Sequence, residues 1–171
     1  MPSPISSRSF LNQLTTALHH FKNDSPFDLS LLDKQQRIYL IGNGGSAAIA
    51  AHIANDLVKA GWSAFSLTDG PTLTCLANDF GYERCYEQQL MSHMRVNDCL
   101  IAISSSGKSQ NIINAVSRVS EIASAVVTLT GFDPDNTLRQ WGDHNYYVPS
   151  QNYGVVETAH LAILHSIVKP D

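Results

Sequence analysis

The sequence predicts an α/β fold, a parallel sheet covered by helices on both faces. Three observations predict it. Short apolar runs alternate with longer helix-type runs along the 171 residues, as in successive strand–helix–strand units. Two of those runs, residues 37–41 and 98–103, end in Gly- or Ser-rich loops that open helices. The run at 98–103 is apolar almost throughout, as befits a strand buried on both faces.

Taken in order, residues 6–22 place Phe10, Leu11, Leu14, Leu18 and Phe21 at helical spacing, with Ser6 or Ser7 as cap. This helix precedes the first strand, so it is expected to pack outside the α/β unit or against another subunit. Residues 1–36 thus read as a helical extension, and 37–171 as a single α/β core. Residues 24–36 are polar with a short Leu-rich turn. The strand at 37–41 leads into Gly42-Asn43-Gly44-Gly45-Ser46 and a helix over 45–60. Residues 64–67 form a second strand, ended by Thr68-Asp69-Gly70-Pro71. Helices are expected at 72–78 and 83–94, parted by Asp79-Phe80-Gly81. The third strand, 98–103, is followed by a helix from near Gln110. The fourth strand is 125–130, the fifth 144–148, and a weakly charged helix at 155–168 closes the chain with most of its faces covered.

Composition excludes several classes. A net charge of −4 without a Lys/Arg cluster argues against a nucleic-acid surface. No apolar run reaches membrane-spanning length, and the N-terminal residues lack the pattern of a secretion signal. Cys75, Cys85 and Cys99 lack metal-ligand spacing and read as reduced thiols in a cytoplasmic protein.

The glycine loop at 42–46 offers backbone N–H groups at a helix N-terminus, where an anion is favoured, or else closes a plain strand–helix turn. It matches neither the dinucleotide nor the P-loop fingerprint. The serine loop, Ser104-Ser105-Ser106-Gly107-Lys108-Ser109, occupies the same position after another parallel strand. Its hydroxyls and amides suit the oxygens of a phosphate monoester without a metal, or else it is a solvated Ser/Gly turn.

GNGGSAA, ANDFGYE at 77–83, ISSSGKSQN at 103–111 and the E-x-x-H-x-x-x-x-H spacing at 157–165 together resemble the sugar isomerase (SIS) domain family, and within it the phosphoheptose isomerases. The resemblance covers nearly the whole chain. It implies a flavodoxin-like three-layer sandwich with a five-stranded parallel sheet, a homotetramer, and a phosphosugar site between subunits. It assigns substrate contacts to Asn43, Gly44, Gly45 and Ser46, to Asn78 and Asp79, and to Ser104, Ser105, Ser106 and Ser109. Lys108 stands where the family usually has Asn, and Gly154 where it has Asp.

His52 and Asp56 are i and i+4 on one helix and share a face. Such a pair holds a metal, passes a proton, or is simply solvated. The resemblance implies a zinc site of His52, Asp56, Glu157 and His165, with Asp56 as catalytic base, His165 as its partner, and Glu157 contacting substrate or serving as base itself. Local geometry instead pairs Glu157 with His160, and His160 reads as a supporting or core histidine. The expected chemistry is aldose–ketose isomerisation of sedoheptulose 7-phosphate to D-glycero-D-manno-heptose 7-phosphate through an enediol, feeding heptose for lipopolysaccharide or capsule. The alternative is a non-catalytic binding module like the initiator-associating proteins of replication.

Overall fold

The structure is a computed structural model that describes residues 6–23 and 26–168; the expected extension and core run past these limits at both ends. The elements follow as α1 (Ser7–His20), β1 (Lys22–Asn23), β2 (Arg37–Gly42), α2 (Gly45–Lys59), β3 (Ser63–Ser66), α3 (Gly70–Phe80), α4 (Cys85–His93), β4 (Cys99–Ser104), α5 (Gln110–Val119), β5 (Ala125–Gly131), β6 (His144–Val148) and α6 (Tyr153–Val168). Short 3-10 turns lie at Leu29–Leu31, Tyr82–Arg84 and Leu138–Trp141.

The sheet order is β1-β6-β5-β4-β2-β3. The five expected strands are all parallel neighbours. A sixth, β1, pairs antiparallel with β6 at the edge; at two residues it carries no periodicity to read. The five parallel strands follow the flavodoxin-like order, in which the chain leaves β2 toward β3 and returns to β2's other side as β4.

Both faces are covered, which is why β2 and β4 are apolar rather than alternating, and why Thr128 and Thr130 of β5 are buried as well. Ile38, Leu40, Ile101, Val127 and Leu129 pack under α2 and α6, and Tyr39, Ile41, Leu100 and Val126 pack under α4 and α5. Capping sets several boundaries. Ser6 Oγ accepts from the Ser9 N–H at 3.2 Å, Asp69 accepts from Thr72 at 3.0 Å, and Asn152 accepts from Gly154 at 3.0 Å. Asp98, 4% exposed, accepts from the Arg37 backbone at 3.0 Å and its guanidinium at 2.7 Å, tying the starts of β2 and β4 together.

Of the two expected placements for the α1 stripe, outside the α/β unit or against another subunit, the chain itself supplies the first: α1 lies on α6. Phe10, Leu14 and Leu18 pack on the core beneath α1 and α6. Gly154 eases this approach: a Cβ there would lie 3.2 Å from Phe10 Cε2, tighter than an ordinary contact. Leu11 and Phe21 remain exposed.

His160 is the core histidine anticipated from its place in α6. It is fully buried, its Nε2 lies 3.0 Å from the Thr130 carbonyl, which it meets as donor, and its Nδ1 has no partner among the described residues. Burial pushes its pKa from 6.5 down to about 4, against the opposing pull of the Thr130 hydrogen bond. Below the unfolded value the denatured chain takes up the proton and the native one does not, so stability falls as pH drops from 6.5 toward 4. We expect this group to cost about 2 kcal/mol between pH 7 and pH 5. Urea denaturation of wild type and His160→Gln at both pH values checks it: the variant's pH dependence should be shallower by that amount, and identical slopes would contradict the assignment.

Candidate functional site

The parallel pairing of β2 with β4 brings both loops to the carboxyl end of the sheet, where α/β folds bind ligands. They line a cavity of about 290 Å³ with Glu157 and Tyr153 of α6. Of the residues anticipated as substrate contacts, Asn43, Gly44, Gly45, Ser46, Ser104, Ser105, Ser106 and Ser109 all line it, as does Glu157.

The glycine loop is shaped for close approach. Gly44 opens α2 at φ 54°, a left-handed conformation that glycine takes without penalty. Gly45 carries no side chain because the Glu157 carboxylate occupies that space. Glu157 therefore sits at the N-terminal end of α2, where a negative charge is favoured. Tyr86, 1% exposed, donates its hydroxyl to the Gly42 carbonyl and fixes the end of β2; burial pushes that phenol's pKa up.

The serine loop is braced from beneath. Gly107 turns at φ 62°, and the Asn136 side chain fills the place of its missing Cβ. Its carbonyl accepts from Leu138 at 3.0 Å. Ser104 Oγ lies 3.2 Å from Ser109 Oγ, and Ser109, at the N-cap of α5, makes no side-chain cap. Ser105 Oγ is buried without a partner among the described residues. A buried hydroxyl left so costs about 1–3 kcal/mol, and a ligand oxygen would relieve it. Lys108, which stands where the family usually has Asn, turns to Asp133 at 3.0 Å, and that hydrogen bond holds the Asp133 carboxyl below its ordinary value.

Across the mouth, the Tyr153 ring meets Phe132 edge-on with centroids 4.7 Å apart. Phe132 adopts φ 61°, rare for a bulky residue and characteristic of functional sites. Its carbonyl accepts from Tyr147 at 2.9 Å and Gln151 at 3.1 Å.

Asn78 and Asp79 are not brought to this cavity. They are exposed at the end of α3, where Asn78 donates to Asp79 at 2.9 Å. Tyr82, from the same motif, reaches the glycine loop instead, donating to Asn43 Oδ1 at 3.0 Å. Tyr82 and Asn111 lie inside the motifs read from sequence but carry no signal of their own, because partners 39 and 68 residues away leave no local spacing to read. Tyr153 had no signal at all.

The cluster on the helices forms in part. Asp56 Oδ2 lies 3.4 Å from His52 Nε2 and 3.5 Å from His165 Nδ1, with the two imidazole rings edge-on at 5.2 Å. One ligand atom from each of these three residues lies within 4.8 Å of the others. Glu157 does not join them, a correction to the four-residue set. It lies eight residues from His165, about 12 Å along an ideal helix, and its carboxylate is taken up against Gly45. Lys59 Nζ stands 3.7 Å from Asp56 Oδ1. Two imidazoles and one carboxylate are a donor set that suits Zn²⁺ with an open position.

The strand order, with two loops and a cavity at the carboxyl end of β2 and β4, defines a doubly wound α/β domain with a ligand site at its switch point. The chain belongs to the SIS domain family, whose sequence profile matches residues 27–131. Among its relatives, a phosphoheptose isomerase of Helicobacter pylori (strain HPAG1) is 34% identical over 144 residues, covering 80% of this chain and 74% of that protein. A phosphoheptose isomerase of Aliarcobacter butzleri (strain RM4018) is 34% identical over 150 residues, covering 84% and 79%. The solved structure of phosphoheptose isomerase GmhA from Neisseria gonorrhoeae superposes with a TM-score of 0.76 at 28% identity, covering 94% of this chain and 86% of that one.

Removing a hydroxyl from the serine loop should weaken the phosphate grip. We expect Ser106→Ala and Ser109→Ala each to weaken sugar-phosphate binding by about 1–2 kcal/mol, with the fold intact. Calorimetry checks this; unchanged affinity in both variants would place the phosphate elsewhere.

Proposed function

We propose that this chain is an aldose–ketose isomerase acting on a phosphosugar, with sedoheptulose 7-phosphate as substrate and D-glycero-D-manno-heptose 7-phosphate as product. The observation that carries it is the cavity in which the glycine loop and the serine loop face each other, in a chain whose relatives are phosphoheptose isomerases. The ionisable groups retained on α2 and α6 favour chemistry over a binding-only role. No helix among the described residues is long and apolar enough to cross a membrane, and the free cysteines fit a cytoplasmic enzyme.

The reaction moves a proton between adjacent carbons and adjusts protons on the two oxygens, so it needs a base and an acid in reach of the sugar. The serine loop orients the substrate by its phosphate. Asp56, flanked by both histidines, is a base whose captured proton His165 can take up or return. A zinc ion held by His52, Asp56 and His165 would polarise a carbonyl oxygen or order the cluster.

Position distinguishes the two candidate bases. Glu157 lies in the cavity of its own chain. Asp56 is eleven residues along α2 from Gly45, about 16 Å of helix. Asp56 therefore serves a cavity completed by another copy, whereas Glu157 needs no second chain. Exposed Phe80 and Tyr82, together with Leu31 and Val96, supply apolar surface for such copies in a homotetramer.

The test is turnover of sedoheptulose 7-phosphate, followed by the appearance of the aldose heptose phosphate in NMR spectra; its absence with active, folded protein would contradict the reading. Asp56→Asn and His165→Ala should each lower turnover at least a hundredfold, the usual worth of general acid–base groups, while Glu157→Gln keeps most of it. A dead Glu157→Gln beside a working Asp56→Asn would move the base to Glu157. Light scattering should give four chains per particle and metal analysis one zinc per chain, lost as acid protonates the histidines.

A further inference from the structure

One pair of carboxamides joins the glycine loop to the first turn of α5. Asn43 Nδ2 donates to Asn111 Oδ1 at 2.9 Å, and Asn111 Nδ2 donates to Asn43 Oδ1 at 2.9 Å. By itself a reciprocal amide pair reads the same with both groups turned over. Here the backbone breaks the tie. The Ile112 N–H, which can only donate, meets the Asn111 oxygen at 3.0 Å and shares itself with the Ser109 carbonyl at 3.1 Å. That fixes Asn111 with its oxygen toward Asn43's nitrogen, and so fixes Asn43.

Asn43 Oδ1 is then fully used, accepting from Asn111 and from the Tyr82 hydroxyl at 3.0 Å. Of its two N–H bonds, one goes to Asn111 and the other has no protein partner among the described contacts. Asn43 lines the cavity, whereas Asn111 is 2% exposed and does not. What Asn43 can offer a ligand is a donor and not an acceptor.

We propose that Asn111 is a positioning residue, which locks Asn43 as a hydrogen-bond donor to an oxygen of the bound sugar, in an orientation dictated by the α5 backbone. The proposal rests on reading the cavity as the sugar-phosphate site. The serine hydroxyls serve the phosphate, so the Asn43 donor serves the carbon chain, where its partner is a carbonyl or hydroxyl oxygen. Tyr82 holds the same oxygen from the opposite element, so three segments distant in sequence converge on one amide.

The experiment titrates inorganic phosphate and sedoheptulose 7-phosphate separately into wild type, Asn43→Ala, Asn111→Ala and the double variant. Asn111→Ala should leave phosphate affinity within about twofold and lower sugar-phosphate affinity about tenfold, the worth of one good hydrogen bond. The double variant should bind no more weakly than Asn43→Ala alone, because Asn111 acts only through Asn43. Equal losses for both ligands would make Asn111 a mere support of α5, and multiplied losses would give it a contact of its own; either overturns the proposal. Should Asn111→Ala not fold, side-chain amide NMR of the wild type decides. One Nδ2 proton on each of Asn43 and Asn111 should be protected from exchange, and fast exchange of both groups overturns the lock. Wild-type protein that fails to bind the sugar phosphate refutes the reading of the cavity, and the amide protection then still judges the lock separately.

Discussion

The alignment of β2 beside β4 is the constraint on which the site depends. Their register, Ile38 opposite Cys99 through Gly42 opposite Ile103, ends both strands at the same level, so the two loops leave the sheet side by side. Asp98 clamps that register at the near end through the Arg37 backbone and guanidinium. The Asn43–Asn111 pair clamps it at the far end. Sliding one strand by a residue would turn every side chain to the opposite face and unmake both core halves. The cavity is thus an outcome of strand pairing, not of loop chemistry alone.

The loops themselves are rigid because their backbones are held by side chains from elsewhere. Tyr86 takes the Gly42 carbonyl from α4, Asn136 fills the hollow under Gly107, and Ser105 hands its carbonyl to the Gly131 N–H at 2.9 Å. The Ser105 hydroxyl has no partner among the described residues, Ser109 makes no side-chain cap on α5, and both residues line the cavity. Pre-orientation of this kind lowers the ordering cost of binding.

Much of this was legible in the sequence, and the limits have physical causes. Strand positions and the two anion loops follow from apolar runs punctuated by glycine and serine, which are local signals. The β6 limits at His144–Val148 coincide with the expectation, and α2 differs only at its C-terminal end. The two-residue β1 was invisible because pairing at a sheet edge needs no pattern of its own. Placing α1 against α6 required knowing that Phe10 fits over Gly154, a contact across more than 140 residues. Joining Glu157 to the histidines follows the family resemblance over the local spacing of two helical turns, whereas His52, Asp56 and His165 meet because α2 and α6 pack on one face of the sheet. Asn78 and Asp79 are carried over by motif, and within one chain they do not line the cavity.

The central claim is that both loops hold one sugar phosphate at the β2/β4 boundary. Backbone amide NMR during titration with sedoheptulose 7-phosphate tests it most directly. The account predicts that the amides of Gly44, Gly45, Ser105 and Ser106 shift together along a single saturation curve. Shifts confined to the region of His52, Asp56 and His165, with both loops silent, would contradict it.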